Sequence, residues 1–214
     1  MARPIRIEYP GALTHVKSFC NEGSRIFLEE ANRRAFIELL DELLVHHQID
    51  CYAYCLMNDH YHLLLETATT NLSKMMRSLN GRYTQYFNRE YHQSGAIFRG
   101  RFKSVVIQKE KYLREVSRHI ILNPLRADLV DYPEDYKWSS YRATAGMEQA
   151  PAWLVVDKLL GSFDSSKQSA VKQYKNYVKQ GVGSNISGRV VQQSYLGDKQ
   201  FISQVQKIVA QHNY

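Results

Sequence analysis

A chain of 214 residues can hold one medium domain with appendages, or two small domains, around a substantial hydrophobic core. With 44% hydrophobic and 23% charged residues, and no apolar run near the roughly 20 residues of a membrane span, the composition argues against disorder, a fibre or a transmembrane helix. The formal net charge is +7, and its positive excess sits in two blocks, residues 74–103 and 165–214, each with seven basic and one acidic side chain. Such blocks read either as a polyanion footprint or as solvated basic helix faces. The first residues lack the apolar core of a signal peptide, so a cytoplasmic protein is expected. Cys20, Cys51 and Cys55 have no metal-finger or CxxC spacing and read as reduced packing thiols.

In chain order, the alternation over Gly11–Phe19 predicts a strand. Ala31, Ala35, Phe36, Leu39, Leu40, Leu43 and Leu44 recur at helical spacing within 29–47. Cys51–Met57, an Asn58-Asp59 turn and His60–Glu66 form a predicted hairpin. A helix over about 72–91 follows, then a strand over 97–107 interrupted at Gly100, then a helix over about 111–122 stopped by Asn123-Pro124. The first six elements make an α+β, ferredoxin-like βαββαβ pattern, an antiparallel sheet with helices on one face. A helical C-terminal extension is expected beyond it: a short helix near 154–163, a basic helix over 165–181 and a terminal one over 201–212. The expected division is a domain over 1–145 and a basic extension over 146–214, with Gly181–Gly188 as the candidate linker.

His60-Tyr61-His62 is the sharpest chemical feature. In a strand, residues i and i+2 share a face, so the two imidazoles emerge together while Tyr61 turns to the other side. Two neighbouring imidazoles can hold a divalent ion that polarises a phosphate oxygen, with a third ligand from elsewhere. Two histidines on the solvated side of a strand would look the same.

The run from Ala53 to Thr67, with Asn58-Asp59-His60-Tyr61-His62-Leu63 at its centre, resembles the histidine-hydrophobe-histidine strand of single-tyrosine transposases. Further motifs follow in order: Arg3-Pro4, Tyr9-Pro10-Gly11-Ala12, Asn71-Leu72-Ser73, Met76-Arg77, Leu79-Asn80-Gly81, Tyr83-Thr84-Gln85, Phe87-Asn88-Arg89, Phe98, Gly100-Arg101-Phe102-Lys103, Asn123-Pro124 and Trp138-Ser139-Ser140-Tyr141. Together they resemble the REP-associated tyrosine transposase family of bacteria, closely over residues 3 to about 145. The resemblance implies a ferredoxin-like domain that cuts and rejoins single-stranded DNA beside hairpins, acting as a monomer or homodimer. It also implies an Mg²⁺ or Mn²⁺ ion held by His60, His62 and, from the later helix, Asn123. In that family a tyrosine on the same helix attacks the scissile phosphate, leaving a 5′-phosphotyrosine and a free 3′-OH.

Here the nucleophile position is His119, in Arg118-His119-Ile120-Ile121-Leu122-Asn123-Pro124. Spacing of four residues keeps His119 and Asn123 on one helix face. A histidine there could form a phosphoramidate, orient a water, bind the metal or do nothing. Tyr112 is the alternative nucleophile, although helical rise sets it roughly 16 Å along the axis from Asn123.

Within 74–103, cations and aromatics interleave in the manner of a single-strand track. Arg77, Arg82, Tyr83, Arg99, Arg101 and Lys103 are the expected contacts, although Tyr83 and Tyr86 could face either way; Arg99, Arg101 and Lys103 share one strand face, and Phe87 and Phe102 are expected in the core. Arg126 is a further phosphate contact, and Arg3 and Arg6 resemble the family's basic N-terminal arm. Tyr195–Phe201 resembles a segment that, in longer relatives, precedes a helix-turn-helix module, which this chain is expected to lack. Two other readings remain. One is a domesticated DNA-binding protein without catalysis. The other, a metal-free histidine phosphohydrolase, is disfavoured because Leu64 occupies the next same-face position.

Overall fold

A computed structural model describes residues 6–181 and 187–212. The expected Arg3 contact and most of the Gly181–Gly188 linker fall outside these residues. Strand β1 (Leu13–Phe19) leads into helix α1 (Glu30–His47), then strands β2 (Ile49–Leu56) and β3 (His60–Thr67), helix α2 (Leu72–Glu90) and strand β4 (Lys103–Ile107). The sheet order is β2-β3-β1-β4-β5, and its first four strands are antiparallel to their neighbours, which is the ferredoxin-like arrangement.

Local chemistry accounts for the elements. Phe36, Leu40, Leu43 and Leu44 form the buried stripe of α1, and Gln48 ends it in the left-handed region, with its N–H turned back to Val45 O. The β2–β3 hairpin closes at Asn58-Asp59, where Met57 N–H meets His60 O at 2.8 Å. Both helices of the βαββαβ unit pack on the face toward which Tyr61 turns. There Tyr61 is fully buried, its hydroxyl donating to Asn80 and its ring 4.7 Å from that of Phe36.

The opposite face receives α3 (Lys109–Ile121), which follows the unit and lies over β2 and β3. Lys109, its first residue, fastens it there: Nζ lies 2.7 and 2.8 Å from the two Glu66 carboxylate oxygens and 2.9 Å from the Tyr52 hydroxyl. Helices therefore cover both sides of the sheet, and α3 gives this side its chemistry. Pro124 ends α3 as expected and opens the short α4 (Asn123–Arg126).

The predicted strand over 97–107 is reduced to Lys103–Ile107. Lys17 pairs with Lys103, yet Cys20 bridges Phe98, so two more residues lie on this side than a regular ladder holds. Gly100, with φ +70°, takes the left-handed turn that accommodates them.

Beyond α4 come α5 (Tyr141–Thr144), α6 (Val156–Leu160), α7 (Lys167–Lys179), β5 (Tyr195–Leu196) and α8 (Lys199–His212). Strand β5 runs parallel to β4, which makes the sheet mixed. Leu154 bridges Cys51 of β2, and Tyr174, Val178 and Leu196 join the same hydrophobic core, so the extension is built onto the sheet. All three cysteines are buried free thiols, as expected. Among the described residues, no helix is long and apolar enough to cross a membrane.

Candidate metal centre and nucleic-acid face

Register decides which side chains meet on the α3 side. Lys17 lies directly opposite His62 and Phe19 opposite His60, so His15, Lys17 and Phe19 of β1 share the face of the histidine pair. The His60 and His62 rings lie 5.0 Å apart, and His15 stacks on His62 at 5.1 Å with its Nε2 2.8 Å from His62 Nδ1. His15 was not foreseen. A lone histidine in an alternating strand carries no signal of its own, and only the β1–β3 register brings it to His62.

The Nδ1 atoms of the pair are engaged while the Nε2 atoms are not. His60 Nδ1 is 2.6 Å from Asp59 Oδ1; a carboxylate only accepts, so Nδ1 carries the proton and Nε2 keeps its lone pair. His62 Nδ1 is taken by His15, and a proton on Nδ1 likewise leaves Nε2 as a lone pair. Both Nε2 atoms are buried without a hydrogen-bond partner. A second partner on Nδ1 with a bare Nε2 is how metal-ligating histidines are set. Among the described residues no group of three or more His, Cys, Asp or Glu is arranged as a metal cage.

His119 of α3 completes the cluster, its ring 6.0 Å from His15 and 6.3 Å from His62. Arg126 NH1 lies 3.4 Å from its Nδ1 and donates to His119 O at 2.9 Å. A guanidinium only donates, so Nδ1 accepts and the ring proton sits on Nε2. Asn123 lies one turn further, but its amide nitrogen donates to the carbonyls of His119 at 2.8 Å and Ile120 at 3.1 Å. Among the described residues no hydrogen bond joins it to His60 or His62. Tyr112 is turned elsewhere, under the guanidinium of Arg189 at 5.7 Å.

Burial holds the imidazoles neutral. It lowers His15 to about 3, with His119 and Lys17 adding repulsion, and His119 to about 4, with Arg126 adding. His62 falls well below the usual range for the same first reason, and His60 is lowered despite Asp59. Burial likewise lowers the Lys17 ammonium to about 8. In metal-free protein the unfolded chain takes up protons on these imidazoles below pH ~6.5, whereas the folded chain resists until about pH 4 for His119 and 3 for His15. Stability is therefore full above pH ~6.5 and lost as pH falls through that window. Urea unfolding in EDTA is expected to show a lower midpoint at pH 5 than at pH 7.5, by at most about 2 kcal/mol per imidazole. The variant His119→Gln should recover part of the difference.

The family model described as "Transposase IS200 like" matches residues 13–121, from the start of β1 to the end of α3, about half of the chain. The chain belongs to the IS200-like transposase family. Its fold is similar to that of a REP-associated tyrosine transposase bound to a REP hairpin, with a TM-score of 0.60 and 16% identity over 72% of this chain and 92% of that one. A transposase-like protein from Deinococcus radiodurans gives a TM-score of 0.39 at 15% identity, over 57% of this chain and 97% of that one. The tRNA(His) guanylyltransferase of Saccharomyces cerevisiae gives 0.36 at 11%, over 90% and 86%. No curated protein matches the sequence.

In this IS200-like transposase the expected DNA contacts divide by sheet face. Helix α2 lies on the side away from the histidines and carries Arg82 and Tyr83. Arg82 makes a bidentate pair with Glu42 of α1 at 2.7 Å for both bonds, and Tyr83 is fully buried, its hydroxyl donating to Ile26 O at 2.5 Å. Their interleaving with cations reflected helical packing. Tyr83→Phe is expected to cost about 1–2 kcal/mol in urea unfolding, because it orphans that carbonyl, and to leave DNA affinity unchanged. Arg99 and Arg101 precede β4, and the Gly100 turn breaks the common strand face predicted for them with Lys103. Arg77 is exposed on α2 close enough to Arg6 to repel it.

A second group gathers beside the histidines. Arg6, Lys17, Arg101 and Lys103 line a groove of about 480 Å³ over β1 and β4, with His15 in its wall. Arg6 lies over the Phe102 ring at 3.6 Å and hydrogen-bonds Ser73 Oγ at 3.2 Å. Gln192 and Gln193, both at positive φ, form the opposite wall in a tight turn closed by Ser194 N–H to Val191 O at 3.0 Å. The groove stays open because α3 lies over β2 and β3. Phe87 and Phe102 are buried, as predicted.

Proposed function

We propose that this transposase binds single-stranded DNA beside a hairpin and holds a phosphodiester at an Mg²⁺ or Mn²⁺ ion carried by His60 and His62. The observation that carries the reading is the pair of buried, unpartnered Nε2 atoms, each on a ring fastened through Nδ1. Two polar atoms buried without partners are costly unless a ligand completes them. A divalent ion, when bound, polarises a phosphate oxygen as a Lewis acid. The cationic groove continues from the pair and suits a backbone of phosphates. The similarly folded REP-associated tyrosine transposase is bound to a REP hairpin, which supports the substrate class.

His119 acts in this reading as a neutral donor. Its Nε2–H is suited to a phosphate oxygen and carries no lone pair for attack, so no covalent protein–DNA link forms. This makes the chain a hairpin-DNA binder whose strand-transfer nucleophile has been replaced. A second reading, cleavage and rejoining through His119, is favoured by its place within 6.3 Å of the His62 ring. Asn123 would complete the ion's ligands through its Oδ1, the amide atom left over when its nitrogen donates to the His119 and Ile120 carbonyls, and Arg126 keeps His119 in its tautomer.

Fluorescence anisotropy with labelled oligonucleotides tests the proposal. A hairpin flanked by single strand should bind at least about tenfold more tightly with Mn²⁺ than in EDTA, and more tightly than unstructured DNA of equal length. Equal affinity with and without the ion, or for both DNAs, would sink it.

A further inference from the structure

Lys17 and Lys103 are directly opposed on β1 and β4, on the histidine face. Like charges in that position destabilise a sheet pair. Neither ammonium has a carboxylate within ion-pair distance among the described residues, and Asp59, near Lys17, is hydrogen-bonded to His60. Both converge on one ring: Lys17 Nζ lies 4.2 Å and Lys103 Nζ 5.5 Å from the centre of Phe19, which packs against His60 at 5.3 Å. Cation–π contact offsets part of the repulsion and leaves both charges facing the groove. The arrangement lacks an anion between the two ammonium groups.

We infer that Lys17 and Lys103 form a clamp for one phosphodiester of the bound strand, next to the phosphate at the histidine pair. The inference rests on the DNA-binding reading above and adds Lys17, which lies outside both basic blocks. One and a half strand spacings separate the clamp from β3, about 7 Å, which is the scale of one nucleotide step. Arg101 and Arg6 continue the same track.

The clamp is tested in EDTA, so that its outcome is independent of the metal. Single-stranded DNA flanking a hairpin is titrated with the full chain and with Lys17→Gln, Lys103→Gln, Lys17→Arg and the control Arg34→Gln on α1. Each Lys→Gln change should weaken binding by about tenfold and lower the salt slope by about one unit. Lys17→Arg should retain most of the affinity, and Arg34→Gln all of it. A series of DNAs with a neutral methylphosphonate at successive positions should reveal one position whose neutralisation weakens the wild type and has no further effect in Lys17→Gln. Lys17→Gln should also raise the thermal midpoint of the free protein, since repulsion is relieved. Unchanged affinity and slope in Lys17→Gln, or the same methylphosphonate profile in both proteins, would overturn the clamp. Loss of hairpin preference with the lysine effects intact would overturn the hairpin reading and leave the clamp standing.

Discussion

His119→Tyr is expected to turn a protein that forms no covalent DNA adduct into one that does. Residue 119 faces His15 and His62 from α3, so a phenol placed there emerges beside the histidine pair. Arg126, which now donates to the imidazole, would lie next to the phenol oxygen and favour its ionised form. The phenolate would bond to phosphorus as the bond from phosphorus to the 3′ oxygen breaks, and that oxygen would leave as a 3′-OH with a proton from solvent. Denaturing gels of labelled hairpin DNA with Mn²⁺ should show a shifted band for His119→Tyr and none for wild type. The yields should differ by several orders of magnitude, the scale on which loss of a nucleophile acts. A wild-type band that is stable to alkali and labile to acid would instead identify a phosphoramidate on histidine. A wild-type band stable to acid as well as alkali, and lost in Tyr112→Phe, would transfer the role to that residue.

The second large effect concerns the metal. Removing either imidazole of the pair, in His60→Ala or His62→Ala, should abolish Mn²⁺ binding measured by electron paramagnetic resonance or calorimetry. His15→Ala should weaken it by roughly 10–100-fold, because His62 loses the partner that sets its tautomer. His15→Asn, which retains an acceptor for His62 Nδ1–H, should recover part of the loss. Mn²⁺ affinity unchanged in His62→Ala would remove the metal from the mechanism, whatever the DNA affinity proves to be.

Much of the fold was legible along the chain. Local signals marked the helical stripe of α1, the Asn58-Asp59 hairpin and the Pro124 stop, and each element ends within a few residues of its predicted bound. The strand before Ile107 was overextended because pairing is non-local: Gly100 marked an interruption, but only the pairing with β1 shows that two residues leave the ladder there. The side to which Tyr83 and Arg82 turn was not legible, because cation–aromatic interleaving looks the same on a packed helix and on a binding track. The difference lies in Ile26 and Glu42, far away in sequence.

The +7 chain divides along the same line. Period-two alternation is a property of the backbone, so the sequence by itself determined that His60 and His62 share a face and that Tyr61 does not. It also determined the family, because many collinear motifs carry that resemblance. Which cations join the histidines was decided only by strand register and by the side of the sheet that α3 covers. Those choices brought in His15 and Lys17, sent Arg82 and Tyr83 to the far side, and left Arg101 and Lys103 at the groove. Net charge sums over both faces of a sheet, whereas a nucleic-acid strand meets only one.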